Sequence, residues 1–119
     1  MNTKTLSARE KKVYKVLTLE EWEEVSKIGQ IATALDQQDG FVHLSSATQL
    51  NMTLSLYFLK EEKVILLQIN ENDIVEGLTY EYADKRGCEF AHYYGELGIE
   101  KISQSWHLVR SAFSLPEEV

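Results

Sequence analysis

The sequence predicts an α+β protein: a small single domain with a bent or split, mostly antiparallel sheet and two main helices. Three observations predict it. Two strand-then-helix units come first, VYKVL running into TLEEWEEVSKIG and FVHL running into SSATQL. The most apolar run, VILLQI, follows them and reads as a central strand. After it the pattern turns to short strands, with too few helices for a doubly wound sheet. At 119 residues the chain has the size of one domain, and a domain of that size buries enough surface to fold without cross-links.

Each element follows from its residues. Val13–Leu17 alternates and predicts a strand. Thr18 with Glu21 forms a capping box, opening a helix that stops at Gly29. Leu19, Trp22, Val25 and Ile28 make its predicted buried stripe, and Glu20, Glu21, Glu23 and Glu24 form a solvated acidic face. Gln30–Asp39 lacks periodicity and reads as a connection, closed by the Asp39-Gly40 turn pair. Phe41–Leu44 is a short strand. Ser46 with Gln49 opens a second helix over about Ala47–Leu59, with Leu50, Leu54, Tyr57 and Phe58 facing the core. Thr79–Tyr82 reads as a strand and Asp84–Gly87 as a loop. Phe90–Tyr94 is extended, and Ile99–Ile102 and Ser105–Phe113 supply the last strands. The ordered domain is expected over 13–113, with a flexible basic arm at 1–12 and an acidic tail at 114–119.

Charge narrows the function classes. The net charge is −7, yet Lys4, Arg9, Lys11 and Lys12 against Glu10 give the first twelve residues +3, so the rest carries −10. Such a domain offers no basic footprint for nucleic acid, so no DNA or RNA partner is expected. No apolar run approaches the ~20 residues of a membrane span, and MNTKTLSAREKK has no apolar core of a secretory signal. The single cysteine, Cys88, excludes an internal disulfide and a multi-cysteine zinc site, and a cytoplasmic location is expected.

Several residues could carry chemistry. His43 lies where strand meets helix, beside Ser45 and Ser46. Backbone N–H groups at a helix start favour anions, so this junction either binds a phosphate, ribose or carboxylate or is a capped, satisfied turn. His92 and Tyr94 face one side of an extended segment and either supply proton transfer and a stacking ring or pack as aromatic core. Glu81 lies between tyrosines; buried, it would act as a base, and otherwise it pairs with Arg86 or Lys85. Arg86 before Gly87 is a candidate phosphate ligand. No glycine-rich phosphate loop is present. A nucleophilic Cys88–His92 pair lacks an orienting partner, and His43, Glu81 and His92 have no local spacing for a metal.

LDQQDGFVHLSSATQL, VILLQI and LTYEY…RG…FAHYYGEL together resemble the domain-of-unknown-function 952 family of bacteria and plants. That family is built on an L-D-x-x-D-G-F-I-H-L-S core and a later H-x-Y-G core, and the resemblance covers about Val13 to Val109. The family is similar in fold to the ADP-ribosyltransferases and RNA 2′-phosphotransferase. That similarity implies a split bent sheet whose cleft takes NAD or ADP-ribose, and a late-strand glutamate for which Glu81, Glu89 and Glu96 are candidates. Lys15 stands where many members carry a histidine, and the Arg-His-Arg set of the phosphotransferase is absent.

The residues and the resemblance together imply one cleft for a small anionic or nucleotide-like ligand. Glu81, His92 and His43 are its expected catalytic residues. Lys15, Asp39, Ser45, Arg86 and Tyr94 are its expected binding residues, with NAD the cofactor the resemblance allows and no metal. The expected function is an ADP-ribosyltransferase-like transfer or hydrolysis at a ribosyl or nucleotide centre. The alternatives are a non-catalytic module for a small anion or nucleotide, and a protein-interaction domain.

Overall fold

The computed structural model describes residues 11–109 and 115–119. The strands are β1 (Lys12–Thr18), β2 (Val42–Leu44), β3 (Lys63–Asn70), β4 (Leu78–Ala83), β5 (Cys88–Tyr93) and β6 (Ile102–Val109). The helices are α1 (Leu19–Ile28), α2 (Ala34–Asp39) and α3 (Leu50–Tyr57). The sheet is split into two antiparallel three-stranded sheets, ordered β1-β3-β6 and β2-β5-β4. Tyr14 and Ser45 join them by exchanging backbone hydrogen bonds of 2.7 and 2.8 Å.

The central strand of the first sheet is the VILLQI run, buried throughout Val64–Ile69. Its apolar continuity follows from being covered on both faces. Ile65, Leu67 and Ile69 pack with Val13, Leu17 and Val25, and with Val42, Leu44, Ala91 and Tyr93 of the second sheet. Val64 and Leu66 point the other way, onto Tyr14, Val16, Leu108 and the Leu50 and Leu54 stripe of α3. Leu115 and Val119 pack on this second face.

Local signals set the helix ends. Thr18 Oγ1 accepts from Glu21 N–H at 3.0 Å, and Glu21 Oε1 accepts from Thr18 N–H at 2.9 Å. Both bonds satisfy N–H groups that a helix start leaves open.

Several sequence expectations are corrected. The segment read as connection holds α2, six residues opened by Thr33 and Asp36 and closed by Gly40 in the left-handed region at φ 85°. The stripe of α1 is shorter than its periodicity implied: Val25 is buried and Trp22 partly so, but Leu19 and Ile28, at the two ends, are 38% and 59% exposed. The second helix begins as a 3₁₀ turn over Ala47–Gln49 and ends at Tyr57, whose ring is exposed and not in the core. Ile99–Lys101 is a 3₁₀ turn, not strand. Lys12 belongs to β1 and donates to Asn70 Oδ1 at 3.2 Å. Residues 1–10 of the basic arm, and Arg110–Ser114 with the end of the last expected strand, lie outside the described residues.

Candidate acid–base cleft

A cleft of about 590 Å³ opens between the two sheets, α2 and α3. Its walls are mostly apolar, with Val16, Leu35, Leu44, Met52, Leu56 and Phe90 among them. A polar corner is built on β1, α2 and β2.

Asp36 is the hub of that corner and is buried at 2% exposure. As the third residue of α2 its Oδ2 accepts from Thr33 N–H at 2.9 Å, and Thr33 Oγ1 accepts from Asp36 N–H at 3.2 Å. The same carboxylate meets Lys15 Nζ at 3.0 Å through Oδ1 and 2.9 Å through Oδ2. Its Oδ1 also accepts from His43 N–H at 3.1 Å and lies 2.6 Å from His43 Nδ1. Burial alone would raise the Asp36 pKa; the His43 bond, the Lys15 ammonium and the Thr33 amide outweigh it and hold the carboxyl well below its usual range. Burial pushes the Lys15 pKa down, with Asp36 opposing. Lys15 Nζ also donates to His43 O at 3.0 Å, so its hydrogen bonds go to the Asp36 carboxylate and to the β2 backbone. Lys15, expected to bind ligand, is thus engaged in holding Asp36 and β2.

His43 also faces Asp39, whose Oδ2 lies 2.9 Å from Nε2. An ionised carboxylate only accepts, so each ring nitrogen of His43 faces an oxygen suited to receive its proton in a hydrogen bond.

Beside this corner lies a second histidine–carboxylate pair. His43 and His92 are opposed across β2 and β5, with ring centroids 5.7 Å apart. His92 Nδ1 is 2.5 Å from Glu81 Oε1, and Tyr94 Oη donates to the same oxygen at 2.8 Å. Thr79 on β4 is opposite His92, so Glu81, two residues on, is its diagonal neighbour on one face. The His92 bond first, and then the Tyr94 bond, hold the Glu81 pKa below its ordinary value against a smaller effect of burial, and Glu81 raises that of Tyr94. Among the described residues no hydrogen-bond partner meets His92 Nε2. Phe41 stacks on His92 at 4.0 Å between centroids and lies 4.6 Å from the His43 ring.

Of the residues the sequence singled out, Lys15, Asp39, His43, Ser45, Arg86 and His92 line the cleft. Glu81 and Tyr94 join through His92. Glu81 pairs with His92 rather than with Arg86 or Lys85. Ser45 Oγ meets Thr53 Oγ1 at 2.8 Å. Arg86 lines the opposite wall, where it donates to Tyr57 Oη and sits 5.6 Å from that ring. Glu89 bonds Gln49 through its backbone carbonyl at 2.6 Å. The sequence did not single out Asp36 or Phe41 as site residues. The spacing of Thr33 and Asp36, a threonine with an acid three residues on, was the available signal for the first.

Residues 16–105 match the family described as "Protein of unknown function (DUF952)". The fold is similar to that of the protein CC0527 from Caulobacter crescentus. Its crystal structure superposes with a TM-score of 0.75 at 28% identity, covering 82% of this chain and 85% of that one. Its solution NMR structure gives 0.71 at 28% identity, covering 82% and 84%. No curated protein matches the chain in sequence. The FVHLSS and FAHYYG segments that build the two histidine–carboxylate pairs both fall inside the matched span, and the chain belongs to the DUF952 family.

Proposed function

We propose that the cleft is an acid–base site for transfer or hydrolysis at a ribosyl or nucleotide centre. The observation that carries this reading is the pair His43 and His92, side by side, each with Nδ1 on a carboxylate. The two rings differ in a way that suits opposite roles. His43, flanked by Asp36 and Asp39, is the proton donor. His92 donates from Nδ1 to Glu81, which leaves Nε2 with the lone pair of a general base. His92 would take the proton of the attacking water or hydroxyl as its oxygen bonds to the reacting centre. His43 would protonate the leaving group as its bond breaks. Glu81 and Tyr94 orient His92, Lys15 and Asp36 orient His43, and Lys85 and Arg86 on the far wall suit an anionic end. The apolar walls suit a planar ring, and the resemblance to ADP-ribosyltransferases supplies the ribosyl side of the reading, with NAD then a substrate.

A non-catalytic binding module is the second reading. It is favoured by the bond from His43 Nε2 to Asp39, which leaves that nitrogen satisfied. The test is to incubate the protein with NAD, ADP-ribose, AMP and a 2′-phosphorylated nucleotide, and to follow thermal stability and products together. Binding at 100 times Kd stabilises by about 2.7 kcal/mol. Consumption of one ligand, falling about 100-fold or more in His92→Gln and His43→Gln, is expected for paired acid–base groups. Saturable binding with every ligand recovered intact replaces the enzyme with the binding module. Neither binding nor consumption overturns both.

A further inference from the structure

Asp39 and Asp36 hold the same imidazole in different ways. Asp36 is buried and fixed by Lys15, Thr33 and two atoms of His43. Asp39 has a side chain 35% exposed, and among the described residues its one hydrogen-bond partner is His43 Nε2. It is the last residue of α2, where helix carbonyls do nothing to favour a carboxylate. His43 itself cannot follow a moving Asp39, because Asp36 locks Nδ1 and the backbone N–H, and Phe41 flanks the ring. If Asp39 rotates toward solvent, a fixed N–H donor opens onto the cleft, with Lys85 and Arg86 lining the same space.

We propose that the Asp39 carboxylate occupies the seat of a ligand oxyanion, so that a phosphate or carboxylate group of the ligand binds His43 Nε2 by displacing it. Lys15 and His43 share the Asp36 carboxylate, and moving Asp39 away removes the second carboxylate of this corner from His43 Nε2. Asp39 is thus an internal competitor that keeps the donor covered until an oxyanion arrives. This rests on the reading of the cleft as a ligand site, but not on turnover.

The test is a titration with inorganic phosphate, and separately with acetate, read by the imidazole ¹⁵N resonances of His43 in wild type, Asp39→Asn and Asp39→Ala. The expected result is about tenfold tighter binding in both variants, a difference of about 1.4 kcal/mol, with the His43 Nε2 resonance moving. A preference for phosphate over acetate identifies a phosphate ester as the natural group, and the reverse identifies a carboxylate. Equal affinity in wild type and both variants, or an anion that leaves His43 unmoved, overturns the proposal. The nucleotide assay stays separate. Turnover without an Asp39 effect on anion affinity sinks only this inference, and the Asp39 effect without turnover sinks only the catalytic reading.

Discussion

His43 and His92 stand directly opposite each other across β2 and β5, and each turns Nδ1 to a carboxylate from a different element. Asp36 comes from α2 and Glu81 from β4, so four segments meet at two neighbouring rings. A cross-strand pair holds side chains on one face at fixed spacing. The relative position of the two imidazoles is therefore set by backbone pairing rather than by loop conformation.

The buried ion pair between Lys15 and Asp36 sets a stability prediction. Removing one member leaves an uncompensated buried charge, which costs about 3–5 kcal/mol. Lys15→Met and Asp36→Leu are each expected to lose that much, Asp36→Leu the more because it also loses the Thr33 cap. The double variant is expected to lose clearly less than the two losses together. Urea denaturation of the four proteins measures the coupling, and simple additivity would remove the pair from the account.

Acid stability follows from the sign of the Asp36 shift. Its folded pKa lies below its unfolded value, so the folded state binds fewer protons in acid than the unfolded chain. The contribution is complete above the ordinary aspartate value of about 3.9 and drains away as pH falls toward the folded value. Unfolding free energy measured from pH 6 downward is expected to fall less steeply in Asp36→Asn than in wild type. Parallel acid limbs would contradict the assignment.

Glu81 titration separates its two donors. The His92 bond is the larger cause of the lowered pKa and the Tyr94 bond the smaller. Carboxyl ¹³C shifts are expected to show the Glu81 pKa rising in Tyr94→Phe and rising further in His92→Leu. An unchanged value in both would mean that neither donor engages the carboxylate in solution.

Gly77 marks a close approach under the second pair. A Cβ there would lie 2.4 Å from Tyr94 O and 2.7 Å from the Tyr93 ring, and Gly77 O accepts from Tyr94 N–H at 2.8 Å. Gly77→Ala is expected to cost about 1–3 kcal/mol, as overpacking does, and to shift the Tyr94 ring resonances. Loss of stability at Gly29→Ala serves as the comparison, since that site is open and its cost comes from φ 87° alone.

What contiguous residues encode was legible in the sequence. The Thr18 and Glu21 capping box, the Gly29 stop and the buried VILLQI strand need only neighbours within a few positions, because caps and burial periods are local. The split antiparallel sheet followed from counting strands against helices, and His43, His92 and Tyr94 stood out by chemistry and spacing. The tertiary structure alone decided which of these meet. α2 escaped notice because six residues are too few to show a helical period, and with it went Asp36, whose value lies in burial that no local pattern reveals. The partner of Glu81, the engagement of Lys15 and the facing of the two histidines all depend on β2 pairing with β5 and β5 with β4. That register is chosen by the burial of whole strand faces against the core, a balance of contacts between segments far apart in the chain.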